Sequence, residues 1–185
     1  MYTVNIYHVS DPYVFNPRKE FDNLGTMVCF HNRYRLGDKH DYNEQDYSSW
    51  QELKKAIVKE ENPAVILPIY MYDHSGVALS TTPFSCGWDS GQIGWIYISK
   101  CKALEEYGGK IVTAKLKERL IKYLKNELKV YDYYLNGEVY GYVIEDENGE
   151  EVDSCTGYYG REEAEKAAQE QLMYYNNKNS LSLQS

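Results

Sequence analysis

Cysteine is scarce in this 185-residue sequence, and long apolar runs are missing. The four cysteines stand far apart without a Cys-x-x-Cys pair, so we expect no disulfide framework and four small buried hydrophobic residues. No apolar run approaches the ~18 residues of a membrane span; residues 64–67, for example, end at Pro68. The N-terminus lacks the basic and apolar segments of a signal peptide, which predicts a cytosolic protein.

The common cofactor and metal motifs are also missing. There is no Gly-x-Gly-x-x-Gly and no phosphate-binding loop, and the histidines form neither a His-x-His nor a His-Glu-x-x-His pair. Folding could still bring together three histidines and three aspartates: His31, His40, His74, Asp38, Asp41 and Asp73. Because their spacing does not support a shared ligand set, we predict no metal and no cofactor.

Acidic residues and tyrosine are what the sequence has in excess. Its 28 Asp and Glu outnumber its 20 Lys and Arg, and the formal charge of −8 argues against a general polyanion binder. Tyrosine occurs 20 times, against 4 Phe and 3 Trp. Because exposed tyrosine supplies rigid contact area and is enriched at interfaces, the composition favours a binding protein.

Alternating apolar residues and turn signals predict an α+β fold with a mostly antiparallel sheet. The predicted strands cover residues 2–9, 26–31, 64–72, 94–98, 139–145 and 151–155. Asn148 and Gly149 join the last two strands as a hairpin, since both turn positions accept a positive φ. We therefore predict a single domain over residues 1–175 that ends in a hairpin and a helix, followed by a flexible polar tail over residues 176–185.

About three helices are expected to pack on the sheet. A capping box at residues 49–52 predicts a helix that ends before Pro63. Leucines at helical spacing predict a longer helix over residues 113–135, which Gly137 closes. A last helix is predicted over residues 161–175.

The loop over residues 73–92 carries the ingredients of a nucleophilic site. Cys86 could act with His74 or His31 and a nearby carboxylate, as in a cysteine-dependent hydrolase. A thiol becomes reactive only when a positioned imidazole or helix N-terminus lowers its pKa, and spacing does not show such geometry. The alternative is a structured loop whose Asp and Ser side chains satisfy the turn backbone and whose Trp88 packs on the core.

Charge is segregated in the second half of the chain. Residues 110–129 hold seven basic and two acidic residues, whereas residues 130–153 hold eight acidic residues and no Lys or Arg. Lys115, Arg119 and Lys122 offer a face for nucleic-acid phosphates, or else a solvated helix face. Six acids surround the predicted hairpin tip: Glu145, Asp146, Glu147, Glu150, Glu151 and Asp153. They form either a solvated edge or a surface that enters a basic groove.

Several segments together resemble a family of small proteins encoded by bacteriophages and mobile elements of Firmicutes. The segments are residues 16–19, 22–34, 36–40, 72–76, 80–94 and 130–142. The most specific part is residues 85–91, Ser-Cys-Gly-Trp-Asp-Ser-Gly. The family includes an anti-CRISPR protein that inhibits the RNA-guided nuclease of type II systems, and it offers no catalytic motif to carry over.

The resemblance implies an inhibitor that binds a type II CRISPR nuclease with its guide RNA in the cytoplasm of the host bacterium. It would block target DNA binding or cleavage by occupancy, without turnover. Such a nuclease holds nucleic acid in positively charged channels, which suits an acidic partner. We expect the six hairpin acids, Trp88 and Asp89 to bind that partner. The alternative is a hydrolase or other phage antagonist of host defence that uses Cys86 with His74 or His31.

Overall fold

Seven strands and five helices form in the computed structural model, which describes residues 2–74 and 76–182, and all strand pairs there are antiparallel. The strands are β1 (Thr3–His8), β2 (Thr26–Cys29), β3 (Pro63–Asp73), β4 (Val77–Ser80), β5 (Ser90–Ser99), β6 (Val139–Glu145) and β7 (Glu151–Tyr159). The helices are α1 (Pro17–Glu20), α2 (Trp50–Glu61), α3 (Lys100–Tyr107), α4 (Ala114–Leu135) and α5 (Arg161–Ser182). The predicted α+β class is confirmed. Ser75 of the family-like segment 72–76 and residues 183–185 of the predicted tail lie outside the described residues.

The chain contains two compact units. The central unit is Arg18–Asp132, and the terminal unit combines the residues up to Pro17 with those from Tyr133 onward. Each unit has its own sheet, with strand order β2-β5-β3-β4 in the central unit and β1-β6-β7 in the terminal unit.

β5 has the longest run of buried residues among the strands of the central unit. On one face of the sheet, Trp95 packs with Leu53 and Ile57 of α2. Side chains alternate along a strand, so Ile96 points to the opposite face, where it is also fully buried. Burial on both faces explains the uninterrupted apolar run by which the strand was predicted.

Gly94 and Pro68 meet the backbone requirements of this sheet. A Cβ at Gly94 would lie 2.0 Å from the Val28 carbonyl oxygen, so only glycine lets β2 approach β5 this closely. Pro68 stands opposite Trp95, but β4 pairs with β3 only from Tyr70 onward. Pro68 therefore lies at a local sheet edge, as the sequence predicted.

The start of α2 follows the predicted capping signal. The Ser49 hydroxyl accepts a hydrogen bond from the Glu52 N–H at 3.3 Å. The Glu52 carboxylate accepts from both the N–H and the hydroxyl of Ser48 at 2.8 Å, one residue earlier than a capping box requires. These bonds hold the pKa of Glu52 below its ordinary value. The helix ends at Glu61, and the capping residue Asn62 adopts a left-handed φ of 44°.

The terminal unit packs one sheet face against α5. Tyr142 and Ile144 of β6 form a cluster with Ala168 of α5. Gly137, with a φ of 71°, ends α4 and donates its N–H to the Tyr134 carbonyl at 3.0 Å. The predicted C-terminal hairpin and helix are confirmed, as is the glycine stop before them.

Some boundaries differ from the prediction. β4 is only four residues long and α3 only eight, too short for a clear apolar period. The α3 start is marked by Ser99, whose hydroxyl accepts from the Lys102 N–H at 3.3 Å. α5 continues past residue 175 to Ser182 because residues 176–182 contain neither Pro nor Gly. Neither α5 nor any other helix in the described part of the chain is long and apolar enough to cross a membrane.

Candidate functional site

Trp88 stands at the rim of a groove in the central unit. The groove has a volume of about 380 Å³, and its lining includes Phe30, Arg33, Trp50 and Asp89. The Trp88 side chain is 98% exposed, and the preceding glycine faces open space. The expectation that Trp88 packs on the core is therefore wrong, because its loop holds the indole away from the sheet.

Hydrogen bonds hold the loop that carries this tryptophan. The Asp73 N–H donates to the Asp89 carbonyl at 2.8 Å, and the Ser90 hydroxyl donates to the Cys86 carbonyl. The Asp73 carboxylate forms an ion pair with Arg33. The loop is thus held at both ends, while its indole extends into solvent.

Three of the predicted site residues lie together: Cys86, His74 and Asp89. The Asp89 carboxylate is the central group and contacts each of the other two. Asp89 Oδ2 lies 3.3 Å from His74 Nδ1 and 4.0 Å from Cys86 Sγ. Within the described residues, no hydrogen bond joins Cys86 to His74 or His31. The His31 Nδ1 instead accepts the Arg33 N–H at 3.2 Å. The thiol therefore donates to a carboxylate and, in this part of the chain, has no hydrogen bond to an imidazole, the group that usually activates a nucleophilic cysteine.

Burial of the cysteines follows the prediction only in part. Cys29 is buried, and this raises the pKa of its thiol to about 12. Cys86 is half-buried, whereas Cys101 and Cys155 are exposed on α3 and β7. The expectation of buried thiols is wrong for these last two, because each lies on the solvent side of its element.

Most of the histidines and aspartates considered as metal ligands have other partners. Asp38 Oδ1 accepts from Arg18 Nε at 2.9 Å. His40 Nε2 lies 3.3 Å from the Cys29 carbonyl oxygen. Among the residues that the structure describes, no group of three or more His, Cys, Asp or Glu could hold a metal ion.

Sequence reasoning missed a buried ion network in the central unit. Arg18 donates from Nη1 to Glu127 Oε2 at 2.8 Å, and the side chains of the two residues are only 4% and 7% exposed. Glu127 Oε1 accepts the N–H groups of Leu24 and Gly25 at 2.9 and 3.0 Å. Burial alone lowers the pKa of Arg18, but Asp38 and Glu127 outweigh this effect and raise it. The network holds the segment before β2 against α4.

A row of aromatic side chains extends from the groove along the central unit. Ring centroids are 6.2 Å apart for Trp50 and Phe30, 5.2 Å for Phe30 and His40, 6.0 Å for His40 and Tyr42, and 6.3 Å for Tyr42 and Tyr47. We name these five residues the aromatic row. Two more depressions adjoin it. One, of about 410 Å³, is lined by Trp50 and Tyr47 among others, and the second, of about 380 Å³, by His40, Tyr42 and Tyr47.

The predicted acidic surface lies in the terminal unit, around the turn between β6 and β7. Glu147, Glu150 and Glu151 are exposed, and Glu145, Asp146 and Asp153 are half-buried. Asp146 has a structural role, because its Oδ1 accepts the N–H groups of Glu150 and Asn148 at 3.0 and 2.8 Å. These two bonds hold the pKa of Asp146 below its ordinary value. The other acids present negative charge at the hairpin tip.

Three basic residues of α4 share one exposed helix face. Lys115, Arg119 and Lys122 are all exposed, at a spacing of four and then three residues. The Arg119 guanidinium lies 4.4 Å from the centroid of the Tyr107 ring. One of the three cations therefore already has an intramolecular contact.

No protein-family model, curated protein or solved structure matches the chain. Its activity therefore has to be inferred from the chemistry of its surfaces.

Proposed function

We propose that this chain is a stoichiometric inhibitor that binds a type II CRISPR nuclease with its guide RNA in the cytoplasm of a bacterial host. Occupancy of the nuclease would block target DNA binding or cleavage. The resemblance to phage and mobile-element proteins, the charge of −8 and the exposed Trp88 support this role. The 98% exposed Trp88 carries the most weight, because a partner that covered its indole would remove a large apolar surface from water.

An exposed indole gains free energy when a partner covers it. Tryptophan is among the residues most enriched in interface hot spots, where it fills a desolvated pocket. Trp88 borders a groove that also contains Trp50, Phe30 and the Asp89 carboxylate. A protein loop with apolar and basic residues fits such a surface better than a small polar substrate does.

The hairpin acids supply a second contact, suited to a basic surface. A type II nuclease carries guide and target in positively charged channels and reads its recognition sequence with arginines. Exposed carboxylates at Glu147, Glu150 and Glu151 complement such a channel and accelerate association through charge. The inhibitor then competes with DNA for the same positive groups.

DNA cleavage by a purified nuclease–guide complex from a Firmicute host tests this function. Inhibition by occupancy predicts that cleavage falls in proportion to added protein and stops near equimolar amounts. Trp88→Ala should weaken inhibition, and Tyr174→Ala, which removes an exposed ring from α5, is its matched control and should inhibit normally. Full cleavage and DNA binding at a large molar excess, with nucleases from several Firmicutes, would contradict the role.

One observation favours a hydrolase as the second candidate: a single carboxylate, Asp89, contacts both His74 and Cys86. If the protein acted by turnover, substoichiometric amounts would give full effect, and Cys86→Ala would abolish it. Cys101→Ala, at an exposed thiol on α3, is the matched control. Inhibition that stays stoichiometric and survives Cys86→Ala excludes catalysis by this thiol.

Direct DNA binding through α4 is the weakest of the three roles. Phosphate contacts by Lys115, Arg119 and Lys122 would release counterions and depend steeply on salt. A mobility-shift assay at low salt measures this contact, and charge reversal at Lys122 should remove any shift. No shifted species at tens of micromolar protein would exclude it.

A further inference from the structure

One depression beside the aromatic row combines aromatic walls with carboxylates. It has a volume of about 380 Å³ and lies between β2, β5 and the end of α2. Its rings are His40, Tyr42, Tyr47 and Tyr97, and its acids are Asp41, Glu60 and Glu61. We name these seven residues the aromatic–acidic pocket.

The pocket is electrically negative. Its three carboxylates face one basic side chain, Lys39, among the described lining residues. Burial and then the nearby Glu60 raise the pKa of Tyr42, and burial and then Glu61 raise the pKa of Tyr97 to about 12. The carboxylates therefore lie near the ring hydroxyls. A cation bound in the pocket would contact the carboxylates and the rings together.

One ring nitrogen of the pocket, His40 Nδ1, is buried and has no hydrogen-bond partner within the described residues. The Tyr42 hydroxyl is also buried, and the Glu60 carboxylate is its neighbour. Buried polar atoms are almost always paired, so Nδ1 has the capacity for one further hydrogen bond. His40 Nε2 can donate to the Cys29 carbonyl at 3.3 Å, which leaves Nδ1 as a hydrogen-bond acceptor. An incoming N–H group matches that acceptor.

We propose that the aromatic–acidic pocket binds the guanidinium group of an arginine side chain presented by the partner protein. This inference depends on the proposed function only for the identity of the partner protein. A guanidinium is planar, stacks on aromatic faces and carries five N–H donors in a fork that matches carboxylates. A lysine ammonium is more strongly hydrated and cannot stack in this way. Negative charge, ring walls and an unpaired acceptor nitrogen together favour arginine.

Titration of the full chain with Nα-acetyl-arginine amide, followed by backbone NMR shifts, tests the pocket directly. We expect saturable shifts at Tyr42, Tyr47 and Tyr97, with a dissociation constant on the order of 10 mM for this isolated side chain. Nα-acetyl-citrulline amide has a similar shape but no charge, and should bind at least roughly tenfold more weakly. Equal binding of the citrulline or lysine analogue, or no saturation with arginine, would overturn the assignment.

Variants locate the binding site. Glu60→Gln with Glu61→Gln removes two exposed carboxylates and should weaken arginine binding roughly fivefold or more. Glu118→Gln, at an exposed position of α4, makes the same kind of charge change elsewhere and should have no effect. Tyr42→Phe keeps the ring and should retain most of the affinity. Unchanged binding in the double variant, with an unaltered amide spectrum elsewhere, would place arginine outside the pocket.

The nuclease assay separates this inference from the proposed function. If the double variant at Glu60 and Glu61 inhibits cleavage like the unmodified chain, the partner does not use the pocket, and the inference fails while the function stands. If the unmodified chain binds arginine amide but never inhibits cleavage, the pocket stands and the proposed function fails. Loss of both arginine binding and inhibition in the double variant, with Glu118→Gln unaffected, supports both.

Discussion

In the central unit, Glu127 is buried against Arg18 and the N–H groups that precede β2, whereas in the terminal unit six acids cluster around an exposed hairpin tip. A carboxylate removed from water needs a fixed cation and several donors, so the fold depends on Glu127 keeping all of these partners. The exposed acids keep their hydration and add little to stability. The difference separates charge that holds the molecule together from charge that is available to a partner.

Arg18→Met gives the largest expected effect. It leaves Asp38 and Glu127 without their buried cation, so we expect the free energy of unfolding to fall by about 3–5 kcal/mol. Urea denaturation measures the loss. Glu127→Gln keeps an acceptor for the N–H groups of Leu24 and Gly25 and is the second variant if Arg18→Met does not fold.

The matched control for this prediction is Arg33→Met. Arg33 also pairs with an aspartate, Asp73, but its side chain is largely exposed. Its loss should cost below about 1 kcal/mol. Equal losses for the two arginines would mean that burial does not distinguish these ion pairs.

Trp88→Ala tests whether an exposed side chain of the central unit serves binding and not folding. Because the indole is in solvent, its removal should leave the urea midpoint unchanged. Binding to the nuclease complex should weaken by about 2 kcal/mol, or roughly thirtyfold in dissociation constant. A shifted midpoint with normal inhibition would instead make Trp88 part of the folded core.

Charge reversal at the hairpin tip, Glu150→Lys with Glu151→Lys, should act on association more than on stability. We expect roughly tenfold slower association at low salt, with the difference shrinking as salt screens the charges. Glu105→Lys with Glu106→Lys, two adjacent exposed acids of α3, is the control with the same charge change. Equal slowing in both pairs would indicate net charge and not the hairpin.

The smallest effect concerns pH. Donation from the Glu150 and Asn148 N–H groups lowers the pKa of Asp146 below its ordinary 3.8. Its support of the turn is therefore complete above pH 3.8 and is lost as the pH falls through the lower pKa of the folded state. Amide NMR shifts of Asn148 and Glu150 should follow this titration, and Asp146→Asn should remove it. A midpoint at or above 3.8 would contradict it.

Local signals predicted most of the elements. Three signals depend on residues only a few positions apart and can be recognised in the sequence. They are the serine cap of α2, the leucine spacing of α4 and the Asn148–Gly149 turn. The ion network had a weaker signal: Glu127 interrupts the buried leucine stripe of α4 at a core position. Nothing local shows that its partner Arg18 lies 109 residues away.

The sequence by itself determined the α+β class, the C-terminal hairpin and helix, and the acidic character of the hairpin tip, because these follow from short-range backbone preferences and from composition. Only the tertiary structure decided that Trp88 faces solvent, that Asp89 contacts both Cys86 and His74, and that aromatic rings meet Glu60 and Glu61 in one pocket. The reason is physical. Such groupings depend on strand register and loop path, which long-range packing sets and no local pattern encodes.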